Sequence, residues 1–193
     1  MPTVSDYLQL AQGVRFEVEA IILESHRDPF SQIIEILAQR QDLSVIDLIS
    51  YGTSGKIALG NSKLSLETIE HYAFELQQWA KALTSDATML VYGCEVAQGE
   101  QGHRLINLLS ELTGAKIAAS TMKIGAKALA GHWQLDYATS LLTVQLAFLP
   151  MVMEIYQGVF VSGNKFRVDT FTTNAQTYSS VTALADGGKA LNF

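Results

Sequence analysis

Ile46-Asp47-Leu48-Ile49-Ser50-Tyr51-Gly52 and Met89-Leu90-Val91-Tyr92-Gly93-Cys94 are the two stretches on which the fold turns. Each is an apolar, strand-like run that stops abruptly in a glycine-containing turn. In an open parallel sheet, ligands and catalytic groups collect just beyond the carboxyl ends of adjacent strands. The chain's only cysteine, Cys94, lies at the second of these ends, while Tyr51 and Gly52 occupy the first.

Outward from these runs, strands are predicted at residues 18–23, 45–50, 88–93 and 116–120. Asp28-Pro29 opens a helix to about residue 40, with Ile33, Ile34, Ile36 and Leu37 on its inner face. Thr53-Ser54-Gly55-Lys56-Ile57-Ala58-Leu59-Gly60 predicts a tight turn and a short edge hairpin. Ser65-Leu66-Glu67-Thr68 then starts a helix reaching about residue 83, in which Ile69, Tyr72, Ala73, Leu76, Trp79, Ala80 and Leu83 recur at helical spacing. Residues 100–113 form another amphipathic helix, stopped by Gly114 as a cap. Strands alternating with helices predict an α/β fold, a three-layer sandwich with a mainly parallel central sheet and right-handed crossovers.

Composition narrows the function classes. The 193 residues, 48% of them apolar, suffice for one well-buried domain, expected over residues 1–160. A net charge of -6 without any Lys/Arg stripe argues against nucleic acid as a partner. A single cysteine makes no internal disulfide, and no paired Cys or His spacing suggests a metal site, so no metal and no cofactor is expected. Residues 1–13 lack the basic start and continuous apolar core of a conventional signal peptide. Residues 141–160 are apolar, but Gln145, Pro150, Glu154 and Gln157 interrupt them. A charge at bilayer depth costs about 2.5 to 3.5 kcal/mol on insertion scales, so this stretch reads as a buried closing segment and not a membrane span.

Several motifs in order carry a family resemblance: Leu48-Ile49-Ser50-Tyr51-Gly52, Leu59-Gly60-Asn61, Tyr92-Gly93-Cys94-Glu95-Val96-Ala97, Gly99-Glu100-Gln101-Gly102, Leu112-Thr113-Gly114-Ala115, Ala118-Ala119-Ser120-Thr121 and Trp133-Gln134-Leu135-Asp136-Tyr137-Ala138-Thr139. Over about residues 18–139 the chain closely resembles the bacterial domain of unknown function 4347, which is similar to the caspase-like (clan CD) cysteine-peptidase fold. The resemblance implies a nucleophilic Cys94, and an oxyanion hole built from the backbone amides of Gly52 and Cys94. It also implies a His-Gly pair after the neighbouring strand, where this chain reads Tyr51-Gly52.

That departure strikes at the chemistry. A thiol whose free pKa is about 8.5 needs a partner that takes its proton near neutrality and returns it to the leaving amine, and a phenol with a pKa of about 10 cannot do so. His103, early on the helix after Cys94, is the only histidine predicted near the same sheet end; His26, His71 and His132 lie elsewhere. Apart from the resemblance, Cys94 reads as a small apolar core filler, and Trp79 and Trp133 as core or edge anchors. Glu95, Glu100 and Asp136 read as solvated or helix-start charges, with no specificity pocket assigned.

The expected function is therefore a catalytically impaired caspase-like domain, a structural or protein-interaction module with a protein or peptide as partner. The alternative is an active, self-processing cysteine endopeptidase that uses Cys94. After Gly158 the composition shifts, and residues 161–193, with Asp186-Gly187-Gly188, resemble the opening of a β-rich repeat of very large bacterial surface or secreted proteins. The tail is thus expected to be a partial repeat, loosely docked or mobile, and the whole to be the N-terminal part of a secreted or cell-surface architecture.

Overall fold

The computed structural model describes residues 7–24, 26–143 and 145–161, and the backbone of 181–186 and 189–192. Among them the strands are β1 (Val18–Ile22), β2 (Leu43–Ile49), β3 (Tyr51–Thr53), β4 (Lys56–Leu59), β5 (Ser62–Ser65), β6 (Leu83–Tyr92), β7 (Lys116–Ala119), β8 (Tyr137–Ala138), β9 (Val181–Asp186) and β10 (Lys189–Asn192). The α-helices are α1 (Tyr7–Gln12), α2 (Pro29–Leu37), α3 (Ala73–Trp79), α4 (Gly99–Thr113) and α5 (Pro150–Ile155).

β2, β6 and β7 are parallel neighbours, with Ile49 beside Tyr92 and Val91 beside Ala119. Their apolar runs are continuous because both faces are covered. Ile46, Leu48, Met89, Val91, Ile117 and Ala119 point to one core, which α2, α3 and α4 close with Phe30, Ile33, Leu76, Trp79, Leu105 and Leu109. The alternate residues Ile49, Leu90, Tyr92 and Ala118 point to a second core, closed by Leu10 of α1 and by Ala147, Phe148, Tyr156 and Phe160. The predicted α/β fold with a mostly parallel sheet flanked by helices is the observed one.

Local chemistry explains the helix ends. Asp28 accepts the Ser31 amide at 2.8 Å and Pro29 opens α2, as its sequence predicts. α4 ends on Gly114 in the left-handed conformation, also as predicted. The helix expected from 65 to 83 is broken. Thr68 spends its hydroxyl on the Lys63 carbonyl and receives the Ser65 amide, Ile69–Tyr72 and Ala80–Ala82 are 3-10 turns, and only Ala73–Trp79 is α-helical. At the junction of the 3-10 turn with α3, Tyr72 stacks on Phe30 with ring centroids 3.8 Å apart. The short hairpin predicted before Gly60 is larger, a three-stranded antiparallel sheet in the order β3-β4-β5.

The main sheet runs β1-β10-β9-β2-β6-β7-β8. β9 pairs antiparallel with β2, Ile46 beside Leu184 and Leu48 beside Thr182. β9 and β10 lie in the main sheet, where the edge of β2 carries backbone donors and acceptors that need partners. The remainder of the predicted repeat, residues 162–180, 187, 188 and 193, lies outside the described residues.

Candidate functional site

β2 and β6 end side by side, and the chain continues from Ile49 and Tyr92 into Tyr51-Gly52 and Gly93-Cys94. The Ser50 amide still bonds the Tyr92 carbonyl at 3.1 Å, so the two turns leave the sheet together. Glu95 then adopts a left-handed φ of 59°, and its amide donates to the Met122 carbonyl at 2.9 Å. Ala97 N bonds Ser120 O at 3.0 Å and Gly55 N bonds Val96 O at 3.1 Å, so the loop after Cys94 is held from both sides.

Gly52 and Cys94 meet at one atom. The Gly52 amide donates to the Phe160 carbonyl at 2.9 Å and the Cys94 amide donates to the same oxygen at 3.0 Å. Two backbone donors converging on one oxygen at such distances form the geometry that stabilises a developing oxyanion. Here the oxygen they hold belongs to the protein's own chain.

Cys94 itself is fully buried in the second core. Its Sγ accepts the Ile124 amide at 3.2 Å and lies 3.5 Å from the Ile124 carbonyl, to which its S–H donates. Burial pushes the thiol from its ordinary value near 9 up to about 11, outweighing the Ile124 amide, which favours the thiolate. Tyr51 is half-buried and packs against the same core cluster. His103 stacks on Tyr137 at 4.1 Å between centroids, and Tyr137 packs against the first core, on the other face of the sheet from the Cys94 cluster. His132 uses its Nδ1 to accept the Gln134 amide. Asp136 accepts from the Thr121 amide at 2.8 Å and from the Thr121 hydroxyl, a loop clasp.

A strap of residues 146–161 covers the site. Arg15 Nε donates to Leu146 O at 2.8 Å, and the Arg15 amide to Ala147 O at 2.9 Å. The Ala147 amide donates to the Tyr92 hydroxyl at 3.0 Å, and Trp133 Nε1 to Met153 O at 3.0 Å. Trp133 meets Phe148, Tyr156 and Phe160 edge-on at 5.4 to 5.7 Å. Beneath the strap lies Asp47, with one carboxyl oxygen lacking a hydrogen-bond partner among the described residues. Burial raises its pKa well above the usual carboxylate range, against the opposing hydrogen bond from Tyr92.

The segment 141–160, expected to be buried, is so only at Ala147, Phe148, Tyr156 and Phe160, while Leu141, Leu149, Met151 and Ile155 are exposed. It bears on the site through Phe160, Gly158 and the facing Ile124-Gly125-Ala126, whose part in the site sequence reasoning did not single out. The only local signal for them is the strand-like Val159-Phe160-Val161 after a glycine. No group of residues that could hold a metal ion occurs among the described residues, and no described helix is long and apolar enough to cross a membrane.

The family described as domain of unknown function (DUF4347) matches residues 2–160, and the chain belongs to that family. No curated protein and no solved structure matches it.

Proposed function

We propose that this DUF4347 domain is a catalytically impaired caspase-like module, whose role is structural or protein-interacting within a large bacterial surface or secreted protein. The observation that carries the reading is the Phe160 carbonyl lodged between the Gly52 and Cys94 amides, above a buried thiol raised to about 11. A peptidase needs that oxygen position free for substrate and a thiol ready to ionise, and Tyr51, a phenol and not an imidazole, precedes Gly52. The same arrangement holds a peptide backbone firmly, which suits an interaction module.

Self-processing between Phe160 and Val161 is the second reading, favoured by the position of that same carbonyl. The Cys94 sulfur would add to the Phe160 carbonyl carbon, the thiol proton would pass to the departing Val161 nitrogen, and water would hydrolyse the thioester. Incubating the purified protein for days at pH 6 to 9, alone and with a mixed peptide library, separates the two. Intact mass and intact peptides are expected. A fragment ending at Phe160, or library cleavage, that is absent from Cys94→Ala would establish the peptidase.

A further inference from the structure

From the backbone geometry of the strap's end, we infer that the groove between residues 124–126 and β3 is a binding site for an extended peptide with an aromatic anchor, and that residues 158–161 are its exchangeable resident ligand. This rests on the module reading above and specifies what the module holds.

Four backbone hydrogen bonds seat the segment. Phe160 N donates to Ile124 O at 3.0 Å and Ala126 N to Gly158 O at 2.7 Å, as in an antiparallel pair. On the other edge the Phe160 carbonyl receives Gly52 and Cys94, and Val161 bridges Gly52 in parallel fashion. The segment's own side chains make none of these bonds, so they fix direction and register for any peptide. Selection falls to Phe160, whose ring is fully buried beside Trp133 and Tyr156 at 5.7 and 5.5 Å.

The groove's wall is shaped for a strand. A Cβ on Gly125 would lie 2.3 Å from the Gly158 carbonyl oxygen and 2.9 Å from the Val159 Cα, and Gly125 has a φ of 126° that a side chain rarely tolerates. A Cβ on Gly52 would instead strike Val96 Cγ2 at 2.4 Å and the Cys94 backbone at 2.7 Å, so Gly52 is needed for the close approach of its amide to that of Cys94. Bare backbone at Gly125 thus lines the side along which residues 158 and 159 pass. The Phe160 ring supplies the apolar contact, and in an exchange reaction a second peptide with an aromatic residue at that position supplies the same one.

Two measurements on the full chain test the inference. Amide exchange followed by NMR is expected to show Gly52, Cys94, Ala126 and Phe160 opening together, at least about tenfold faster than Met89 and Val91 in β6. Equal rates for all six amides, reached only by global unfolding, would overturn it by making the segment ordinary core. Next, Phe160→Ala should raise iodoacetamide labelling of Cys94 about a hundredfold at pH 8, since the resident strand opens more often. Adding acetyl-Tyr-Gln-Gly-Val-Phe-Val-amide at millimolar concentration should restore slow labelling, whereas the same peptide with Ala for Phe should not. Labelling unaffected by either peptide in folded Phe160→Ala would also overturn the proposal; Phe160→Leu serves the same comparison if the alanine variant does not fold. Cleavage of the added peptide would refute the impaired-module reading while leaving the groove assignment standing.

Discussion

Gly52 lies so close to Cys94 that a Cβ built on it would fall 2.7 Å from the Cys94 carbonyl oxygen and 2.9 Å from its nitrogen, as well as 2.4 Å from Val96 Cγ2. The close approach lets the amide of Gly52 in β3 and that of Cys94 in the loop after β6 reach one oxygen. Gly52→Ala should therefore force the two turns apart, lowering stability by about 3 kcal/mol. Urea unfolding followed by far-UV circular dichroism measures the loss; an unchanged midpoint would contradict the packing described.

Cys94 should behave as a masked, weakly acidic thiol. Its folded value of about 11 lies above the ordinary value near 9, so folding favours the protonated form. The stability this contributes is fully present below about pH 8.5 and is lost as pH rises through 11. Wild type should therefore lose stability between pH 9 and 11 more steeply than Cys94→Ser, whose hydroxyl does not titrate there. Parallel slopes in urea titrations at pH 8, 9.5 and 11 would count against a buried, raised thiol.

Tyr51→His places an imidazole at the first strand end. It should lower the apparent pKa of Cys94 labelling from about 11 toward the ordinary thiol range, because an imidazolium stabilises the thiolate. Loss of phenol packing should cost about 1 kcal/mol. The pH profile of labelling from 5 to 10, with Cys94→Ala as the blank, reads the shift; an unmoved profile in a folded variant would mean that position 51 does not act on the thiol.

Asp47 carries a pH dependence in the same direction. Burial raises its folded pKa above the ordinary carboxylate range, so folding favours the protonated form. That contribution is complete below the unfolded value of about 3.9 and declines as pH rises through the folded value. Asp47→Asn keeps the shape without the ionisation and should gain about 1 kcal/mol at pH 8, with the advantage vanishing near pH 4. Urea midpoints at the two pH values check this, and a loss at pH 8 would point to an ionised Asp47 that the fold depends on.

The strands were legible in the sequence because Ile46, Leu48, Met89 and Val91 are buried on one face and Ile49, Leu90 and Tyr92 on the other, which makes an uninterrupted apolar run. The turn expected at Gly52 is instead strand β3, paired with β4, whereas the meeting of Gly52 with Cys94 was legible once the strands were neighbours. The break around Thr68 was hidden, since it depends on the hydroxyl of Thr68 finding the Lys63 carbonyl and on Phe30 reaching Tyr72 from another helix. Phe160 was hidden more deeply. Its partners are backbone groups of Gly52, Cys94 and Ile124, and backbone groups leave no residue-type signature. The apolar character of the closing segment foretold burial throughout, whereas only Ala147, Phe148, Tyr156 and Phe160 are buried and Leu141, Met151 and Ile155 face outward; nor could it foretell the atom presented to the site.

The strap's position has a consequence for how the protein is made. Arg15 and Leu146, which it joins, are 131 positions apart. Synthesis from the N-terminus delivers β2, β6 and β7 well before residues 146–161 exist, so Ile49, Leu90, Tyr92 and Cys94 spend that interval without their cover. The thiol that is inaccessible in the finished protein is then open to oxidants, to other thiols and to chaperones that bind apolar surface. Late emergence of the strap confines that exposure to biosynthesis, and a pause in elongation before residue 146 prolongs it.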